Sequence, residues 1–238
     1  MLFRSGFVKK NGIDLSLYEK RIFDSYNDFF TRKIRVEERP VNPDANALVS
    51  PSDGKVSVYK IHENGHFLIK HTEYTLEQLL QDKKLAKRYL DGHIYVIRLT
   101  VDDYHRYCYA ADGRKSEQRK IAGILHTVNP VANDVCPIYK MNSREYCLIK
   151  TEQFGTLLQM EVGALMVGKI SNNQQGLGFV HKGVEKGRFE FGGSTIILLT
   201  QKNVVIPDRD LLEHTGSGME TLVKMGEQIG RSANRLDA

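Results

Sequence analysis

From Ala47 to the end of "RFEFGGSTIILLT" (residues 188–200) the chain is cut into short runs of β-branched, aromatic and alternating apolar residues. Each run is closed by Gly, Asn, Asp or Pro. Runs of that length and composition read as strands separated by turns. Asn64-Gly65, between "KVSVYKI" and "HFLIKH", predicts a hairpin. Further strands are expected near residues 93–101, 121–128, 146–150, 156–162, 165–170 and 194–200. A helix is expected over Leu76–Tyr89 with Thr75 as its N-cap. "IPDRDLLEHTGSGMETLVKMGEQIG" closes the chain with a turn and a short amphipathic helix. The reading is a mainly β (α+β) fold of antiparallel sheets with peripheral helices. Its 238 residues are enough for one domain with a full core.

Residues 14–34 carry Tyr18, Ile22, Tyr26, Phe29 and Phe30 at helical spacing. One reading is a helix packed on the core. The other is an apolar face on lipid, with Lys20, Arg21, Arg32 and Lys33 near the headgroups. No apolar run approaches the roughly 18 residues of a membrane-spanning helix, and "MLFRSGFVKKNG" is too broken for a signal peptide. Cys108, Cys136 and Cys147 lack paired or CxxC spacing, which fits free thiols in a reducing cytoplasm. The net charge of +5 favours an anionic partner. Its scatter along the chain argues against a dedicated nucleic-acid groove, and attraction to anionic lipid headgroups needs no more than this modest excess.

Several segments carry potential chemistry. "HENGH" (His62–His66) matches a zinc-protease pattern, but that pattern needs a helix and here Asn-Gly sits inside it, so it reads as a hairpin. "SPSDGKV" places Asp53 in a turn before a strand. In "VDDYHRYCYAADG", His105 follows a strand end and is a candidate general base. "HTVNPVANDVCPIYKMNSREYCLIKT" is a long irregular connection of the kind that carries function. "MEVGALMVGKI" sets Gly163 and Gly168 in strand-like sequence. Gly192 and Gly193 stand at the mouth of the apolar run that begins with Ser194, which marks a bulge or a close backbone approach.

Taken in order, "YNDFFTRKI", "SPSDGKV", "YTLEQLL", "DDYHRY", "HTVNPVAND", "NSREYCLI", "MEVGALMVGKI" and "KGVEKGRFEFGGSTIILL" resemble the phosphatidylserine decarboxylases, a family of self-processing pyruvoyl enzymes. The resemblance spans about residues 26–200, and GGST beside "KGVEKGRF" is its most specific part. It implies a hybrid barrel-sandwich-like arrangement, often dimeric, so a homodimer is expected. It also implies cleavage of the Gly193–Ser194 bond, giving a β chain 1–193 and an α chain 194–238. Ser194 Oγ would attack the Gly193 carbonyl, and a base is needed because a neutral hydroxyl is a poor nucleophile. The ester would then eliminate, and hydrolysis of the enamine would leave a pyruvoyl group derived from Ser194. That group forms a Schiff base with phosphatidylserine, releases CO2 and gives phosphatidylethanolamine, with no metal.

Carried over by motif, Asp53 orients His105 and His105 activates Ser194, the logic of a serine triad turned on the chain itself. Many relatives have a second histidine three residues on, where this chain has Cys108. His105 must then serve both cleavage and decarboxylation, or Cys108 or His126 stands in. Many relatives also carry apolar segments ahead of "FFTR", where this chain shows "MLFRSGFVKK". The expected setting is peripheral, at the cytoplasmic face of the cell membrane, with phosphatidylserine as partner and no nucleic acid. A pyruvoyl decarboxylase of a soluble amino acid and a non-maturing lipid-binding relative are the alternatives.

Overall fold

The structure, a computed structural model, describes residues 3–19, 22–69, 72–123, 142–163, 169–190 and 194–233. Its earlier strands are β1 (Ala47–Val49), β2 (Gly54–Lys60), β3 (His66–Ile69), β4 (Thr72–Thr75), β5 (His93–Leu99), β6 (Arg106–Cys108), β7 (Gly113–Lys115) and β8 (Arg119–Ile121). The later ones are β9 (Arg144–Lys150), β10 (Thr156–Gly163), β11 (Lys169–Asn172), β12 (Gly178–Val180), β13 (Glu185–Glu190), β14 (Ser194–Thr200), β15 (Val205–Pro207), β16 (Thr221–Val223) and β17 (Gln228–Ser232). Short helices lie around them: α1 (Phe3–Lys10), α2 (Tyr26–Phe30), α3 (Leu76–Leu80), α4 (Lys83–Ala86) and α5 (Arg209–Gly216).

A nine-stranded antiparallel sheet runs β12-β7-β9-β10-β14-β5-β2-β16, with β8 also paired to β9. Two three-stranded sheets, β11-β13-β6 and β1-β17-β15, and the β3–β4 hairpin complete the strands. The mainly β class is therefore as expected, and among the described residues no sheet closes into a barrel. Ile196–Leu199 of "STIILLT" are apolar without alternation, as suits β14, which is buried on both faces. Ile196 and Leu198 join one core with Tyr95, Ile97, Tyr107 and Phe189. Ile197 and Leu199 join another with Phe67, Tyr74 and Leu79. Each such side chain contributes about 1.5–3 kcal/mol on burial, so β14 is held from two sides.

The expected helix over 14–34 is not continuous. Asp14 caps a single 3-10 turn, Ser25 caps α2 by accepting from the Asp28 amide at 3.0 Å, and Tyr18 bridges to Ile34. A helix would hold those two residues about 24 Å apart. Tyr18 and Phe29 serve instead a compact cluster with Phe23, Ile34 and Tyr104, Phe30 and Tyr26 turn to the main core, and Ile22 is exposed. Arg32, assigned to headgroups in the lipid reading, is buried. Its guanidinium lies 4.5 Å from the Tyr18 ring and 4.7 Å from the Phe29 ring, and donates to the carbonyls of Asp102 and Asp103. Lys20 and Arg21 lie outside the described residues.

Thr75 caps as expected, accepting from the Gln78 amide at 3.2 Å, but left-handed Gln81 ends α3 and Asp82 caps α4 afresh. The Asn64-Gly65 turn forms, with Gly65 at φ +79° and the His62 amide bonded to the His66 carbonyl at 2.8 Å. Its strands do not pair with each other, however. β3 pairs with β4, and β2 pairs with β5 and β16. The expected strand 121–128 is described only through β8, and 165–170 only from β11. After α5 the chain adds β16 and β17, for which the sequence carries no strand signal. Three or five residues carry too little periodicity to stand out.

Candidate active site

Register aligns one end of the central strands. Lys55 of β2 lies opposite Arg98 of β5, Arg98 opposite Thr195 of β14, and Thr195 opposite Val162 of β10. One residue further, Leu99, Ser194 and Gly163 make the last row, with Gly54 starting β2 beside them. Ser194, His105 and Asp53 are thus gathered at one end of the sheet, since the Thr100–Asp103 turn carries the chain from β5 to His105. Asp53 precedes β2, two strand spacings from β14, or roughly 10 Å across the sheet. It therefore cannot touch Ser194 directly.

Ser194 is fully buried and its Oγ has no hydrogen-bond partner among the described residues. Its side chain shares the face of Ile196 and Leu198, the face covered by the β6–β13 layer. Gly163 opposite it contributes no side chain and is clamped: its amide donates to the Ser143 carbonyl at 2.9 Å, and its carbonyl accepts from Asn142 Nδ2 at 2.7 Å. Asn142 and Ser143 come from "NSREYCLI", which the sequence offered as a match without a role. Gly193 and His126 lie outside the described residues.

His105 is fully buried, with its ring centroid 3.9 Å from that of Phe30. Nδ1 is 2.9 Å from the Asp103 carbonyl. A carbonyl only accepts, so Nδ1 carries the proton and Nε2 keeps its lone pair. Nε2 is buried with no partner among the described residues. Burial, with Arg32 adding repulsion, pushes the imidazole down to about 3, against the smaller opposing effect of the Asp103 carbonyl. The neutral, basic form is the one present at pH 7. The His105 carbonyl accepts the Phe189 amide at 2.9 Å, which ties it to the strand leading into residues 191–193.

Asp53 does not hold His105 in the way the resemblance implied. Arg39 grips both carboxylate oxygens, Nε to Oδ1 at 2.8 Å and Nη2 to Oδ2 at 2.5 Å, and the Met225 amide donates to Oδ1 at 2.9 Å. The planar guanidinium matches a carboxylate bidentately, and the orienting acceptor for His105 is the Asp103 carbonyl instead. Cys108, not His105, lies against the Asp53 turn, its amide donating to the Pro51 carbonyl at 2.8 Å. Its thiol is buried, points weakly at the Ser50 carbonyl (3.9 Å) and is pushed up to about 12 by burial, so it stays protonated and is no general base.

A buried ionic group lies next to this row. Lys186 Nζ is 2.6 Å from Glu161 Oε2, both side chains fully buried, and also 2.9 Å from Asn172 Oδ1. Neither residue was singled out from the sequence. The signal available was a glutamate inside the apolar run "MEVGAL". Alongside, a cleft of about 390 Å³ is lined by Ser143, Arg144, Glu145, Lys120 and Lys169 among others. Among the described residues no group of three or more His, Cys, Asp or Glu could hold a metal ion. His62 and His66 of "HENGH" flank a turn, and His66 Nδ1 meets Glu73 at 2.6 Å. Among the described residues no helix is long and apolar enough to cross a membrane.

Residues 26–231 match the family model described as "Phosphatidylserine decarboxylase". The chain is similar to "Phosphatidylserine decarboxylase proenzyme 2" of Clostridium acetobutylicum, 46% identical over 95% of this chain and 77% of the relative. It is also similar to the "Phosphatidylserine decarboxylase proenzyme" of Fusobacterium nucleatum, 42% identical over 96% and 77%, and to that of Clostridium perfringens, 41% identical over 94% and 78%. An identity above 40% over nearly all of this chain and about three quarters of each relative, together with the match to the family, carries one conclusion: this chain belongs to the phosphatidylserine decarboxylase family.

Proposed function

We propose that this chain cuts itself between Gly193 and Ser194, into a β chain 1–193 and an α chain 194–238, and that the mature protein decarboxylates phosphatidylserine to phosphatidylethanolamine as a peripheral enzyme on the cytoplasmic face of a membrane. The observation that carries the reading is the pair of unpartnered atoms, Ser194 Oγ and His105 Nε2, both buried at one end of the sheet. Burying a polar atom unsatisfied costs about 1–3 kcal/mol, so each such atom calls for an explanation, of which a catalytic role is one. His105 Nε2 takes the proton of Ser194 Oγ as it attacks the Gly193 carbonyl, and the Asp103 carbonyl keeps the ring in the required tautomer.

The position of Ser194 at the start of the fully buried strand β14 suits the proposal, because β14 anchors the new chain start once the bond before it is cut. The pyruvoyl group supplies a carbonyl which draws electrons from the substrate as CO2 leaves. The neighbouring cleft has the size for a headgroup, and Lys120 and Lys169 on its lining, paired to Glu145 at 2.9 Å and Glu190 at 3.2 Å, are the cations an anionic group would have to win from those carboxylates. The names of the relatives support the lipid substrate.

The test is the intact mass of purified protein beside Ser194→Ala, followed by turnover on phosphatidylserine vesicles and on a panel of free amino acids. Fragments 1–193 and 194–238, the latter with a pyruvoyl mass, and CO2 release from the vesicles alone are expected. A single uncut mass in both proteins after long incubation refutes self-processing. Turnover confined to a free amino acid refutes the lipid substrate.

A further inference from the structure

Ser194 Oγ, His105 Nε2 and Glu161 Oε1 are among the buried polar atoms at this end of the sheet without a described partner, beside the hydroxyls of Thr195 and Ser52. The first two are used above. Glu161 faces Ile196 across the β10–β14 ladder, as Gly163 faces Ser194, so Glu161 and Ser194 share a face as diagonal neighbours. Diagonal residues in an antiparallel pair lie about 7–8 Å apart, within reach of a long side chain. The directly opposed residue, Gly163, puts no side chain between them. Oε2 is fully committed, accepting from Lys186 Nζ at 2.6 Å, Gln118 Nε2 at 3.1 Å and Asn172 Nδ2 at 3.3 Å. Oε1 accepts from nothing described. One oxygen is tied down and the other is held ready.

Self-cleavage needs two proton abstractions. In the first, Oγ–H gives its proton to His105 while Oγ bonds to the Gly193 carbonyl carbon. The amide C–N bond then breaks, and the proton passes to the freed Ser194 nitrogen. In the second, the Cα–H bond of Ser194 breaks, its electrons form the Cα=Cβ bond, and the Cβ–Oγ bond breaks to release Gly193 as a carboxylate. Water then replaces the enamine nitrogen as ammonia. A single described histidine stands here, fixed by its Nδ1 bond. We propose, resting on the self-cleavage reading above, that Glu161 Oε1 is the base for the second abstraction, taking the Cα proton of Ser194, with Lys186 and Asn172 as its positioning residues. Burial raises the carboxyl above its ordinary range despite Lys186, which makes the carboxylate a stronger base than an exposed one. The acyl shift also releases Cα from the amide plane, so it can turn toward that oxygen.

The experiment follows the 194–238 fragment in Glu161→Gln by mass, with and without hydroxylamine, which cleaves esters and spares amides. Because Glu161→Gln strands a buried ammonium, Glu161→Gln with Lys186→Met is run beside it, and both are checked by circular dichroism. Loss of a general base predicts spontaneous cleavage slower by on the order of 100-fold. The ester should accumulate, and hydroxylamine should release a 194–238 fragment that begins with serine. Three results overturn the inference: cleavage at the wild-type rate, a folded but uncut chain that hydroxylamine does not open, or loss of fold in both variants, which makes the pair structural only. Wild-type protein that stays whole refutes the self-cleavage reading itself, a separate result.

Discussion

Replacing His105 by glutamine in a Ser194→Ala background tests the state of the imidazole, because the alanine keeps the chain whole and glutamine can still donate to the Asp103 carbonyl. The ordinary histidine value is 6.5, and burial pushes this one down to about 3. Below pH 6.5 the unfolded chain takes up a proton that the folded chain refuses. Stability therefore falls as pH drops from 6.5 toward 3, and levels off below that. Between pH 7 and pH 5 the loss is about 1.4 kcal/mol for each pH unit below 6.5, or about 2 kcal/mol. That figure changes little for any folded-state value below about 4, because only the unfolded state titrates in this window. His93, pushed down to about 4 by burial, adds a similar loss, but it is present in both proteins and cancels. Urea denaturation at pH 7 and pH 5 should show Ser194→Ala losing about 2 kcal/mol more than Ser194→Ala with His105→Gln. A gap that stays within about 0.5 kcal/mol at both pH values would mean that protonated His105 is tolerated in the folded protein. His105 would then not be held neutral by its surroundings.

Arg39→Met leaves the Asp53 carboxylate, whose side chain is 10% exposed, with the Met225 amide as its remaining described donor. Breaking a buried pair costs about 3–5 kcal/mol. A loss of about 3 kcal/mol in urea denaturation is expected, and one under 1 kcal/mol would put the pair with weak surface bridges. In a Cys136→Ser background, iodoacetamide at pH 8 should label neither Cys108 nor Cys147 of native protein, because burial pushes these thiols up to about 12 and about 11. Intact mass before and after urea reads the result, and labelling of the folded chain would show an accessible thiolate.

Local signals were legible because local physics makes them. Thr75 caps its helix, Gly65 takes the left-handed turn, and the non-alternating apolar run "IILL" within "STIILLT" announces a strand buried on both faces. The helix expected over 14–34 failed for the complementary reason. Aromatic residues at helical spacing also suit a chain that doubles back, and the contact that decided it, Tyr18 to Ile34, is tertiary.

At the site, the motifs around Asp53, His105 and Ser194 could be read as residues; register sets Ser194 opposite Leu99 at the end of β5 where β2 begins, and the turn after β5 leads to His105. Their partners could not be read. Asp53 is held by Arg39, fourteen positions away, because a guanidinium fork reaches it across a loop. Glu161 meets Lys186, twenty-five positions away, because β13 crosses the buried face of β10. Residue types and strand-forming runs were thus determined by the sequence alone, since they depend on each side chain and its nearest neighbours. Which carboxylate is committed, which oxygen is left free and how far burial drives the His105 imidazole were decided by the tertiary structure. Those properties depend on exclusion of water and on charges brought together only when the layers pack.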